Sequence, residues 1–384
     1  MIIQSLLDQD FYKFTMAQVV LHQFPDYYVK YRFTCRTPNV HWTAAMKEEI
    51  QQELEHYCRL TLTDDELAYL RGIRFLKPYF VDMLELFRPN IRYVKISFDG
   101  GLHIEVEGPW FLTIHFEMPI LSIVNEVYFR HTTQFKAIAQ SGRDRLHAKI
   151  EIARREGFAF SDFGTRRRYS RDWQEQVVQT LALNLPRSIF TGTSNVDLAR
   201  RLRLTPIGTM AHEFIQAGQA ADVVTLANSQ KFMLQKWVDE YRGDLGIALT
   251  DTLGIDKFLK DFDLYFAKLY DGVRHDSGDP FEWAEKMLHH YERLHIDATT
   301  KRFVFSDGLD FEKASQLWNR LKGRAHIAFG IGTNLTNDFE GVTPLQIVIK
   351  MVECNGRPVA KLSDSPGKTM CTDTGFLEYL RSLL

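Results

Sequence analysis

The chain has 384 residues, of which 45% are hydrophobic and 25% charged, and its net charge is −2. That profile fits a globular protein with room for two domains and gives no general attraction to nucleic acid or to anionic membranes. No apolar run has the length of a membrane span, and Met1-Ile2-Ile3-Gln4-Ser5 is not a basic stretch leading into an apolar one, so a cytoplasmic location is expected. The cysteines Cys35, Cys58, Cys354 and Cys371 lack metal-ligand spacing and read as reduced, packed thiols.

In chain order, residues 8–23 read as an amphipathic helix and 43–58 as a second, rich in Glu and Lys. Thr63 and Glu66 form a capping-box pattern. Strands are expected at 91–98, 102–107 and 110–116, with a hairpin at Asp99-Gly100-Gly101 and breaks at Pro109 and Pro119. A helical region from 120 to about 156 is expected to be interrupted near Ser141-Gly142.

From Gly157 the rhythm becomes short strand, polar turn, helix. Strands are expected at 157–161, 188–190, 205–208, 247–250, 270–274, 302–306 and 325–330. Helices are expected at 170–183, 195–202, 212–220, 230–241, 256–262, 280–294 and 311–321. Alternation of this kind implies a parallel sheet, and about seven units suit a closed or nearly closed α/β barrel better than an open sheet. After Asn337 strands return at 346–353 and 359–362, packing back on the first domain.

Polar clusters follow the strands. The richest is Arg274-His275-Asp276-Ser277-Gly278-Asp279-Pro280, with a fixed cation, carboxylates and a hydroxyl ahead of a helix whose first position suits Pro280. Others are Ser161-Asp162-Phe163-Gly164-Thr165-Arg166, Gly192-Thr193-Ser194-Asn195, Phe305-Ser306-Asp307-Gly308 and Gly330-Ile331-Gly332-Thr333-Asn334. In a barrel they share one rim, where barrel enzymes place their chemistry.

Each cluster also has a plain reading. Phe163 can stack a flat ligand and Arg166 can grip a phosphate or carboxylate, while Arg167 and Arg168 read equally well as surface cations. Ser194 or Asn195 is an ordinary helix cap. His212, beside Glu213, has no second His or Cys at ligand spacing, so zinc is not expected. Asp276, Asp279 and Asp307 suit hydroxyls or Mg²⁺, or are solvated carboxylates. Gly330 and Gly332 resemble a backbone phosphate cradle, and Lys361 and Lys368 are cations that suit pyrophosphate or solvent.

Taken together, the motifs resemble the nicotinate phosphoribosyltransferase family over essentially the whole chain. They run from Asp10-Phe11-Tyr12-Lys13 through FGTRRR (163–168), GTSN (192–195), GTMAHEF (208–214), LANSQ (226–230), GIALTD (246–251), RHDSGDP (274–280), FSDGLD (305–310), FGIGTNLTND (329–338) and KLSDSPGKT (361–369). Their order is more specific than any one of them.

The resemblance implies an irregular α/β barrel over 136–341 and a smaller N-terminal α/β domain, 1–135, completed by the C-terminal segment 342–384. It implies synthesis of nicotinate mononucleotide and pyrophosphate from nicotinate and phosphoribosyl pyrophosphate, coupled to ATP hydrolysis and feeding NAD salvage. It also implies Mg²⁺ and a homodimer with shared active sites. By motif, Phe163 and a neighbouring subunit's Tyr12 would sandwich the pyridine, and Arg166 would bind phosphate. Arg274 would meet the pyridine carboxylate, and Asp276 the ribose hydroxyls and Mg²⁺. Asp307, Gly330, Gly332 and Thr333 would hold the ribose phosphate, Lys361 and Lys368 would serve pyrophosphate, and Thr193 would belong to the substrate site. His212 would be the phosphorylated histidine. Ser194 stands where nicotinamide-using relatives carry an acid, so nicotinate is expected to be preferred over nicotinamide. Quinolinate would call for a denser cationic pocket.

Overall fold

The computed structural model describes residues 1–365 and 367–384, so Pro366 of the KLSDSPGKT motif lies outside the described residues. Two sheets organise it. The smaller is built from β1 (Tyr28–Cys35), β2 (Val94–Phe98) and β3 (Leu102–Pro109), all antiparallel. The larger is parallel and contains β4 (Ala159–Asp162), β5 (Phe190–Thr193), β6 (Thr205–Pro206), β7 (Ile247–Leu249), β8 (Gly272–His275), β9 (Arg302–Phe305) and β10 (His326–Ile331). The chain then returns to the first sheet with β11 (Ile347–Cys354) and β12 (Arg357–Pro358), giving the order β12-β11-β1-β3-β2.

The parallel sheet has the order β6-β5-β4-β10-β9-β8-β7 and curls into an incomplete barrel. Among the described residues β6 and β7 do not pair. Pro206 has no N–H to offer a ladder, and it ends β6 after two residues. The seam is bridged by side chains and by the first helix, Phe11–Gln23. Thr209 donates through Oγ1 to the Ile247 carbonyl at 3.2 Å, and Thr15 Oγ1 donates to the Thr209 carbonyl at 2.6 Å. A Cβ on Gly208 would stand 2.8 Å from the Tyr12 nitrogen, so only glycine lets the helix approach this closely.

Between the sheets runs the helix Glu117–Thr132, buried around most of its circumference, as a core helix must be. Pro119 sits in its first turn, where no intrahelical N–H is needed, so it does not break the chain as expected. Residues 110–116, expected as a strand, form the short helix Trp110–Thr113 and a 3-10 turn, Ile114–Phe116. Their continuous apolar run is buried on several sides and carries no period to separate the two forms. The expected interruption at Gly142 is absent from the helix Phe135–Glu156. The glycine is there for packing, since a Cβ would meet Phe339 at 2.5 Å and Trp173 at 2.9 Å. The expected strand at 359–362 reduces to a single bridge between Lys361 and Met370, while β12 lies just before it at Arg357–Pro358. β1 and the helices Pro78–Leu86 and Thr374–Ser382 add to the expected elements. Among the described residues no helix is long and apolar enough to cross a membrane.

Candidate active site

A cavity of about 560 Å³ opens at the C-terminal ends of the parallel strands, and the smaller sheet forms part of its wall. Tyr12, Phe163, Arg166, Ser194, His212 and Arg274 line it, as do Asp276, Asp307, Gly332, Thr333 and Lys368. Strand ends deliver most of these side chains, as the alternation predicts. Tyr12 reaches the cavity of its own chain, whereas the resemblance implied a neighbouring subunit. The reason is local: Phe11 donates its N–H to the Ser194 carbonyl at 2.8 Å, and Asp10 bridges to Asn195.

Thr193, Gly330 and Lys361 lie behind the lining. Thr193 Oγ1 donates to Asp162 Oδ2 at 2.7 Å and steadies the turn that carries Phe163. Gly330 lies against the Phe163 ring; a Cβ there would be 2.3 Å from Cε2. It leaves space for the ring, and of the residues expected to cradle phosphate, Gly332 and Thr333 line the cavity. Lys361 Nζ is 2.9 Å from Asp251 Oδ2. Asp279 caps the helix Pro280–Arg293 by accepting from Phe281 and Glu282 N–H, each at 2.9 Å.

The arginine run divides. Arg168 is buried and grips Asp8 with both Nη atoms, at 2.6 and 2.8 Å, so the surface reading fails for it. Arg167 lines the cavity while its Nε donates to the Ile347 carbonyl at 2.9 Å. Arg166 lines the cavity too. Among the described residues Arg166, Arg167, Arg274 and Lys350 have no carboxylate oxygen within 4.0 Å. These four cations share one recess with no carboxylate in direct contact, although Asp276 and Glu117 act on them through space.

His212 Nε2 lies 2.8 Å from Asp251 Oδ1 and 3.5 Å from Asp276 Oδ2. Burial, reinforced by Lys361, lowers the imidazole to about 4 even though Asp251 pulls the other way. The ring is therefore neutral at physiological pH. With Nε2–H donated to Asp251, Nδ1 keeps its lone pair, and among the described residues nothing hydrogen-bonds to it. Asp251, which the motif reading gave no role, also accepts from Ser277 Oγ at 2.6 Å. Its place just beyond β7, like the other strand-end polar residues, is the signal that marks it.

Burial opposes ionisation of Asp276, but Arg274, then His212 and Lys361, hold its carboxyl well below the ordinary value. Ser306 Oγ lies 2.8 Å from its Oδ1. His212, Asp251 and Asp276 place ligand atoms within 4.8 Å of one another. Asp251 is already filled by His212, Ser277 and Lys361, so among the described residues these three do not make an all-protein cage. Asp276 fits the single carboxylate that Mg²⁺ uses when phosphates complete its shell. Asp307 is held by Lys368, whose Nζ lies 2.8 Å from both carboxylate oxygens. That pair places a carboxylate and a cation together where a ribose phosphate was expected to meet Asp307 alone.

At the other end, Ser194 Oγ donates to Asp10 Oδ1 at 2.6 Å, so the hydroxyl is committed within the protein and is not free to donate to a ligand. Burial raises the Asp10 carboxyl to about 6, against the Ser194 hydrogen bond. Beneath this floor Lys13 is fully buried, with Nζ 2.6 Å from Glu117 Oε2 and 2.5 Å from Glu213 Oε1. It ties the helix of Tyr12 to the helices that carry Glu117 and His212.

Residues 158–384 match the family model described as "Nicotinate phosphoribosyltransferase (NAPRTase) family", and 7–125 match the N-terminal domain of the same family. The chain is 55% identical over 390 residues to nicotinate phosphoribosyltransferase of Cupriavidus necator, covering 100% of this chain and 98% of that one. It is 56% identical to the Neisseria gonorrhoeae enzyme, covering 100% and 97%. A crystal structure of nicotinate phosphoribosyltransferase from Vibrio cholerae superposes with a TM-score of 0.94 at 41% identity, covering 100% of this chain and 93% of the other. One from Porphyromonas gingivalis gives 0.93 at 35%, covering all of both chains. On matches to both parts of the family model and to relatives over its whole length, and with its cavity built from the strand-end motifs, the chain belongs to the nicotinate phosphoribosyltransferase family.

Proposed function

We propose that this chain joins nicotinate to the ribosyl group of phosphoribosyl pyrophosphate, releasing pyrophosphate, and that ATP drives the step through a phosphohistidine at His212. The observation that carries the reading is the set of cations with no carboxylate in direct contact, Arg166, Arg167, Arg274 and Lys350, sharing one cavity with the Tyr12 and Phe163 rings. A charged sugar diphosphate needs the first set and a flat pyridine needs the second.

The chemistry asks for little proton traffic. The pyridine nitrogen lone pair forms the bond to the anomeric carbon, and the carbon–oxygen bond to pyrophosphate breaks with its electron pair leaving on pyrophosphate. No proton moves, so the protein supplies position and electrostatics. Asp276, held ionised, stabilises the cationic sugar carbon. Arg166 and Arg274 hold phosphate and pyridine carboxylate. Mg²⁺, held by Asp276 together with substrate phosphates, would neutralise charge on the departing pyrophosphate.

For the coupling, Nδ1 of neutral His212 forms a bond to the terminal phosphorus of ATP, and the bond to ADP oxygen breaks, its electron pair leaving with ADP. Asp251 keeps the ring's other nitrogen protonated and fixes its orientation. The added negative charge reorganises a site lined with cations, and hydrolysis of the phosphohistidine resets it. Preference for nicotinate over nicotinamide rests on those cations and on the absence of a second acid at Ser194. The reading includes a homodimer, a cytoplasmic location and a place in NAD salvage.

The test is purified protein with nicotinate, phosphoribosyl pyrophosphate and Mg²⁺, with and without ATP. Mononucleotide formation raised by ATP, with acid-labile phosphate on the wild-type protein and none on His212→Asn, is the expected result. Equal turnover of nicotinamide, or undiminished ATP coupling in His212→Asn, overturns it.

A further inference from the structure

Most buried carboxylates around the site have a cation. Asp8 meets Arg168, Glu117 and Glu213 share Lys13, and Asp251 meets Lys361. Asp162 has none in contact, but Thr193, Gln174 and the Gly164 N–H occupy its oxygens. Asp10 differs from all of these. It is 4% exposed and lines the cavity, and among the described residues no Lys, Arg or His nitrogen lies within 4.0 Å of its carboxylate. Ser194 Oγ donates to its Oδ1, while no described residue donates to its Oδ2 within 3.5 Å.

Its place in the fold says what meets that oxygen. Asp10 stands two residues before Tyr12 and bridges to Asn195, just past Ser194. Asp162, immediately before Phe163, is near enough for its charge to act on Asp10. The acid is thus bracketed by the residues that carry both rings of the pyridine slot. The charged groups facing it are Asp162 and Arg166, from β4 and its turn. β5 and its turn bring Thr193, Ser194 and Asn195, none of them charged. On its own segment Asp8 is taken by Arg168, Lys13 is held by two acids, and burial keeps the Tyr12 phenol neutral. Nicotinate is an anion. Two ionised carboxylates brought together out of water repel, and the pair sheds that cost by taking up a proton.

We infer that Asp10 is a specificity-determining residue that receives nicotinate as the protonated acid: Oδ2–H donates to one oxygen of the substrate carboxylate, and each nicotinate bound takes one proton from solvent. The inference rests on the nicotinate reading above. The other carboxylate oxygen is left for Arg274. The proton returns to solvent when product leaves, so the bond-forming step still moves none. Nicotinamide brings no charge and can donate its amide N–H to ionised Asp10, so the preference for nicotinate weakens as pH rises. Burial, helped by Asp162 against Ser194, Thr165 and Arg166, puts the Asp10 carboxyl at about 6. Near neutrality it is mostly ionised without substrate, and the proton is gained on binding.

The test measures half-saturating nicotinate for mononucleotide formation by the full chain between pH 6 and 7.5, with Mg²⁺, ATP and saturating phosphoribosyl pyrophosphate. The inhibition constant of nicotinamide is measured beside it. Over that range nicotinate itself does not titrate, His212 stays neutral, and Lys350, brought to about 8 by burial, keeps most of its charge. Wild type is expected to need about 10-fold more nicotinate at pH 7.5 than at pH 6, with no such rise for nicotinamide. Asp10→Asn, whose amide also donates, should hold near the wild-type pH 6 value throughout. Ser194→Ala removes a hydrogen bond to the ionised acid and should move the rise to higher pH. If wild type forms no mononucleotide at any pH, the nicotinate reading itself fails. If mononucleotide forms, this inference alone is overturned by a wild type without the rise, by an equal rise for nicotinamide, by an Asp10→Asn that keeps the rise, or by a Ser194→Ala that leaves it in place.

Discussion

His212 Nε2 and Asp251 Oδ1 are 2.8 Å apart, and the second oxygen of Asp251 is taken by Ser277 and Lys361. One carboxylate therefore fixes the imidazole, the turn after β8 and a lysine from the C-terminal segment. Asp251→Asn keeps the shape but no longer fixes which ring nitrogen carries the proton. Phosphoryl loading from ATP is expected to fall by about 100-fold or more, and thermal stability to fall as well, because buried Lys361 loses its carboxylate partner. Labelling rate beside a melting curve checks this.

The depressed imidazole makes a pH prediction of definite sign. In the proposed coupling the nucleophile is the neutral ring, present above its value of about 4. Loading should stay level from pH 7 down to about 5 and fall only as pH approaches 4. A decline centred near the ordinary 6.5 would show that His212 is not held neutral by its surroundings.

Asp10 gives a prediction about stability. Its carboxyl is raised from 3.8 to about 6, chiefly by burial. The neutral acid is therefore the form that the fold favours. Its contribution is complete below about pH 4 and is lost as pH rises through 6, a cost of about 3 kcal/mol by neutral pH. Asp10→Asn preserves an acceptor for Ser194 and should stabilise the protein by about 1–3 kcal/mol at pH 8, with no gain at pH 3.5. Denaturant unfolding at the two pH values reads this directly.

Lys13 separates two buried carboxylates. Lys13→Met leaves Glu117 and Glu213 facing each other without their cation and should cost about 3–5 kcal/mol. Adding Glu213→Gln and Glu117→Gln should restore much of that, because the penalty belongs to the uncompensated charges. Chemical denaturation of the single and triple variants separates this from loss of packing.

Gly330→Ala places a methyl group 2.3 Å from Phe163 Cε2, so the ring must move. The expected signature is weaker nicotinate binding, by roughly 10- to 100-fold, with a smaller change for phosphoribosyl pyrophosphate. Half-saturating concentrations of the two substrates, measured on one preparation, decide it.

What could be read from the residues alone was what the chain encodes locally. Phe163, Arg166, Asp276 and Asp307 sit within a few positions of a strand end, so alternation with helices was enough to gather them on one rim. The Thr63 and Glu66 capping box is present for the same reason, both partners being three residues apart. Lys350 was not legible, because its strand belongs to the other sheet and nothing nearby marks it as facing a cavity. Asp251 acquires its meaning only from His212, Ser277 and Lys361, which lie far off in the chain. The 110–116 run was taken for a strand since uniform burial erases the periodicity that separates helix from strand.

The helix that plugs the seam between β6 and β7 has a consequence for biogenesis. Lys13, Thr15 and Gln18 end with no solvent contact, yet Gln18 finds its partner Glu240, and Lys13 its partner Glu213, only after β4, β5 and β6 have been made. A nascent chain on the ribosome must therefore hold its first helix open, with a charged lysine awaiting its second acid, until the first three parallel strands and the helices after them emerge. Closure over such sequence distances is slow. Shielding of that early segment by a chaperone during synthesis should raise the yield of native protein more than any help given after release.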